Sequence, residues 1–111
     1  MKIEAQKMGS VMILSPRAAV SGGEVNDFSA AVEDYRRKTN GRIVLEFSQV
    51  PFLDSNGIEA LWDLSERQRE AGQTMKLAAV PELCREIFEL TGISPHLDLF
   101  DSAESAVRSF L

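Results

Sequence analysis

Asp54-Ser55-Asn56-Gly57 is the stretch whose residue types and spacing could carry chemistry. It lies beyond the apolar run Ile43-Val44-Leu45-Glu46-Phe47 and opens a helical pattern that begins at Ile58. Asp, Ser and Asn are the favoured caps of a helix start, but one cap needs only one of them. Asn56 with Glu59 also has the spacing of a capping box. Glycine just inside a helix costs about 1 kcal/mol relative to alanine, so Gly57 predicts a close approach to the backbone. A hydroxyl on Ser55 would sit beside free helix N–H groups, which tolerate an attached phosphoryl group. The Asp54 carboxylate would oppose it. That balance suits a switch in which the fold survives modification while the surface changes charge by about −2.

Other chemistry finds less footing. A nucleophilic Ser55 would need a Gly-x-Ser-x-Gly elbow and a histidine base. The elbow is missing, and the single histidine, His96, follows Pro95 with no spacing that pairs it with Ser55 or Cys84. The residues therefore point away from an enzyme, and His96 reads as structural or solvated. Cys84, on the same helical pattern as Leu83 and Ile87, reads as a small packed hydrophobe. Trp62 fits either the core or an interface anchor. Glu66 to Glu70, with Arg67 and Arg69, reads as a solvated helix face of mixed charge. No Gly-rich phosphate loop or metal-spaced His/Cys set is visible, so no cofactor and no metal are expected.

Two styles of apolar pattern surround the motif. Lys2–Met8, Ser10–Ser15, Arg42–Phe47, Thr74–Val80 and, weakly, His96–Leu99 read as strands. The unbroken apolar centre of Arg42–Phe47 predicts a strand covered on both faces. Val25, Phe28, Val32 and Tyr35 recur at steps of three and four, which predicts a helix over Glu24–Lys38 stopped by Asn40-Gly41. Ile58, Leu61, Trp62 and Leu64 begin a second helix that Ala71-Gly72 ends. A third starts at Pro81, carries the stripe Leu83, Ile87 and Leu90, and closes at Gly92. A fourth covers Ser102–Phe110, capped by Asp101 or Ser102. Strands alternating with helices imply parallel pairing in the centre of a sheet, while the first two strands are close enough for a hairpin. The expected class is α/β, a mixed β-sheet flanked by about four α-helices.

Composition narrows the class of partner. A chain of 111 residues with 44% hydrophobic content has the size and apolar fraction of one globular domain, expected to span 1–111. Twelve Lys and Arg stand against seventeen Asp and Glu, a net charge of −5 with scattered basic residues, so nucleic acid is a poor candidate. No apolar run is long enough to insert in a membrane, Met1–Lys7 lack the apolar stretch of a secretory leader, and the one cysteine suits a reducing setting, so a cytoplasmic location is expected. A protein partner is the remaining expectation.

At the strand-to-helix motif the sequence resembles the STAS family (sulfate transporter and anti-sigma factor antagonist domains), and most closely the free-standing anti-sigma factor antagonists of bacteria. The residues concerned are Ile43–Phe47, then Val50-Pro51-Phe52-Leu53-Asp54-Ser55-Asn56-Gly57-Ile58-Glu59-Ala60-Leu61, in the pattern of a hydrophobic strand followed by Asp-Ser-x-Gly at a helix start. Gly72 with Met75-Lys76-Leu77, Val80-Pro81, Leu90-Thr91-Gly92-Ile93 and Leu99–Ala106 also fit. The resemblance implies a partner switch. The unmodified protein would bind an anti-sigma factor that is also a serine kinase, and so release the sigma factor. Phosphorylation of Ser55 would weaken the complex, and a serine phosphatase would restore it. Asp54, Ser55, Asn56, Gly57, Ile58, Glu59 and Trp62 are the expected partner-binding residues, with Gly57 permitting close docking.

Upstream the sequence departs from that family. Pro16–Gly23 lacks the Gly-x-Leu-Asp-like turn, and Glu46 stands where Asp is common. Some free-standing STAS proteins are instead accessory subunits docking on the ATPase of a lipid-transporting ABC complex, which is the alternative expectation.

Overall fold

Period-two burial along the inner strands sets the architecture. In the computed structural model, which describes residues Met1–Leu111, strand β3 (Ile43–Glu46) sends Ile43 and Leu45 into one apolar cluster and Val44 into another. Strand β2 (Val11–Pro16) divides Leu14 from Val11 and Ile13 in the same way, and β4 (Met75–Ala78) divides Met75 and Leu77 from Ala78. Successive side chains of a strand point to opposite faces, so all three strands are covered on both sides. The continuous apolar run expected at Arg42–Phe47 behaves as expected.

The sheet has five strands in the order β1-β2-β3-β4-β5, with β1 (Ile3–Met8) antiparallel to β2 and every later pair parallel, out to β5 (Leu97–Phe100). Helices α1 (Val25–Lys38), α2 (Ser55–Glu70) and α3 (Glu82–Thr91) contribute to the larger cluster. Helix α4 (Ala103–Arg108) closes the smaller cluster through Ala106 on the other face. This is the mixed, helix-flanked α/β sheet the sequence predicts.

Phe47 knits the larger cluster together. Its ring centroid lies 6.4 Å from those of both Phe28 on α1 and Phe88 on α3. On the surface, Arg67 of α2 reaches Glu33 of α1 at 3.1 Å. Three local readings need correction. The third helix buries Cys84 and Phe88, not the Leu83/Leu90 line: Leu83 is 51% and Leu90 87% exposed, and only Ile87 is half-buried. Helix α3 has apolar residues on two lines, and periodicity could not tell which faced the sheet. Within the Glu66–Glu70 run Gln68 is fully buried, its Nε2 donating to the Gly41 carbonyl at 3.1 Å. The expected capping box is absent too, because the cap of α2 is Asp54.

Candidate functional site

Two loops meet where β2 and β3 run out at the same end of the sheet. Val20 forms an isolated parallel bridge with Leu53, its N–H donating to the Phe52 carbonyl at 3.1 Å. Asp54 fastens the same junction with its side chain. One carboxylate oxygen accepts from the Gly57 N–H at 2.9 Å, and the other accepts from the Gly22 N–H, also at 2.9 Å. The first bond caps α2. The second holds the 16–23 loop, which carries no acidic residue of its own. Both hold the Asp54 carboxyl below its ordinary value of 3.8, the Gly57 bond more than the Gly22 bond.

Gly57 is explained by the same junction. A Cβ on it would lie 2.1 Å from the Val20 carbonyl oxygen, far inside van der Waals contact. The close approach that the sequence predicts is real, but it comes from this chain's own loop. Gly57 is buried, and Ile58 is 7% exposed within the larger cluster. Neither presents an exposed side chain, and both serve as structural supports of the junction. A helix start looks uniformly accessible in sequence until the loop that covers it is known.

What remains exposed is compact. Ser55, Asn56 and Glu59 are exposed, and Asp54 is half-buried beside them. Ser55 is the first residue of α2, directly after its cap, at the positive end of a helix of 16 residues. Phe52, missed as a candidate, is 42% exposed three residues upstream. Its place in the run Val50-Pro51-Phe52 was the available signal. Trp62 is half-buried, packs against the larger cluster and lies 4.8 Å, ring to ring, from His96. That contact accounts for His96 as a packing partner. Cys84 is buried, its Sγ 3.3 Å from the Val50 carbonyl, and burial pushes its thiol up to about 11.

The Ser55 hydroxyl is accessible, and the neighbouring carboxylate is already committed to two backbone donors and is a poor base for it. No group of three or more His, Cys, Asp or Glu side chains could hold a metal ion. No helix is long and apolar enough to cross a membrane.

Comparison with known proteins places these features in company. The STAS domain family matches residues 2–106. A Bordetella bronchiseptica protein, BtrV, named as a candidate anti-sigma factor antagonist, is 21% identical over 110 residues, covering 99% of this chain and 95% of its own. The solved structure of TM1081 from Thermotoga maritima, also described as a candidate anti-sigma factor antagonist, superposes with a TM-score of 0.86 at 19% identity, covering 96% of this chain and 92% of that one. The Bacillus anti-sigma factor antagonist SpoIIAA is similar in its unphosphorylated form (TM-score 0.76, 12% identity, 98% and 96% coverage). Its phosphorylated form gives a TM-score of 0.70 at 12% identity, with 99% and 100% coverage.

Proposed function

The chain belongs to the STAS domain family, and from that premise we propose that it is an anti-sigma factor antagonist controlled by phosphorylation at Ser55. In this proposal residues 1–111 act as one STAS domain in the cytoplasm. The unmodified protein binds an anti-sigma factor with serine kinase activity and releases the sigma factor. Transfer of the γ-phosphoryl group of ATP to Ser55 Oγ, with loss of the hydroxyl proton and departure of ADP, weakens the complex. A serine phosphatase hydrolyses the ester and restores binding. The protein itself catalyses neither step.

One observation carries the reading: an exposed Ser55 at the first position of α2, beside a carboxylate whose two oxygens are already engaged. A dianion attached there gains from the helix end, while two backbone donors moderate the Asp54 charge next to it. The protein can bear the mark without unfolding. A docked partner would have to bury that same dianion, at the cost of desolvation and repulsion. That relatives are named anti-sigma factor antagonists, and that SpoIIAA has a phosphorylated form, supports the assignment.

The test is incubation with the anti-sigma partner and ATP, followed by mass-spectrometric mapping. Label is expected on Ser55 and lost in Ser55→Ala; label elsewhere would sink the assignment. In calorimetry Ser55→Glu should bind the partner ten- to a hundredfold more weakly than Ser55→Ala, or about 1–3 kcal/mol.

A further inference from the structure

We propose that the outward line Leu83, Ile87 and Leu90 of α3 is a second docking surface, taking an amphipathic helix of another protein whose apolar stripe is rimmed by Lys and Arg. Single exposed apolar residues are ordinary on protein surfaces. Here two large ones, 51% and 87% exposed, fall with half-buried Ile87 at spacings of four and three, which aligns them along one side of a helix. The core takes up Cys84 and Phe88 on the sheet-facing side of α3 and part of Ile87, and leaves Leu83 and Leu90 outside it.

Charge selects the occupant. Glu82, Glu86 and Glu89 are exposed on the same helix. The only base on α3, Arg85, is drawn elsewhere: its Nε donates to the Val80 carbonyl at 3.2 Å and its guanidinium lies 3.9 Å from Asp101. Arg85 stands about 200° around the helix axis from Leu83, on the far side of the three glutamates, and its ion pair is with Asp101 and not with any of them. A second copy of this chain would set these glutamates against their own equivalents, and an anionic lipid surface would meet the same repulsion. A basic rim satisfies both the apolar line and its border. The surface is anchored close to the motif, since the Cys84 thiol in the first turn of α3 bonds the Val50 carbonyl five residues before Ser55.

This inference goes beyond the phosphorylation reading, and its test does not involve the state of Ser55. The probes are three synthetic helical peptides added to the isotopically labelled full chain and followed by amide chemical shifts. One has a leucine stripe rimmed by lysine, the second has the same stripe rimmed by glutamate, and the third scrambles the composition of the first. The lysine-rimmed peptide should shift Glu82–Thr91 saturably, with an affinity at least tenfold above both controls. Leu83→Asp/Leu90→Asp, with an unchanged circular dichroism spectrum, should abolish the response. Equal binding of the scrambled peptide, shifts centred on another element, or full binding by the double variant would overturn the proposal. So would a concentration-dependent dimer in sedimentation that Leu90→Asp dissolves, since the face would then belong to a second copy.

Discussion

At the scale of single residues, Asp54 and Gly57 do more for the shape of the site than Ser55 does. Gly57→Ala forces a Cβ to within 2.1 Å of the Val20 carbonyl, which cannot retreat without breaking the bridge to Leu53. The expected cost is about 1–3 kcal/mol in urea denaturation, the range for overpacking a tight site. No loss of stability would mean that the 16–23 loop moves freely. Asp54 makes the site sensitive to acid. Its folded carboxyl is held below 3.8, so the stabilisation is fully present above that value and is lost as pH falls through the lower folded one. Asp54→Asn lacks this contribution. The stability gap between wild type and variant should therefore be widest near neutral pH and close in acid. A gap that stays constant between neutral solution and a pH below 3.8 would show that the ionised form does not matter.

At the scale of elements, strands were legible and helix faces only partly so. All five strands lie within about two residues of the expected runs, and in β2, β3 and β4 the buried aliphatic residues between polar breaks leave little ambiguity. Helix α1 also buries Val25, Phe28 and Val32 as its spacing requires. Helix α3 failed the same reading because Leu83, Ile87 and Leu90 repeat as regularly as Cys84 and Phe88. Which line turns inward is decided by Phe47, a residue from another element. The site was half legible for a similar reason. Ser55 and Asp54 could be found locally, whereas the burial of Gly57 depends on Val20, more than thirty residues away. The two lines of α3 should respond very differently to substitution. Phe88→Ala should cost about 3–5 kcal/mol and Leu90→Gln within about 0.5 kcal/mol, measured by chemical denaturation. Comparable losses would mean that the exposed line is packed in solution.

At the scale of the whole molecule, the buried thiol of Cys84 reports on global opening. Alkylation requires the thiolate. A pKa of about 11 within the larger cluster leaves little of it at neutral pH and shields what there is. Iodoacetamide should label the native protein far more slowly than a small free thiol, and urea should accelerate labelling in step with the loss of structure. Labelling at the free-thiol rate would show that α3 lifts from the sheet independently. The Asp54 junction has a longer reach than its size suggests. Because one carboxylate holds the amides of Gly22 and Gly57 from two distant segments, release of that side chain opens both to deuterium. The protection factors of both amides should fall together as acid protonates that carboxylate, so that the loop and the helix keep one clock.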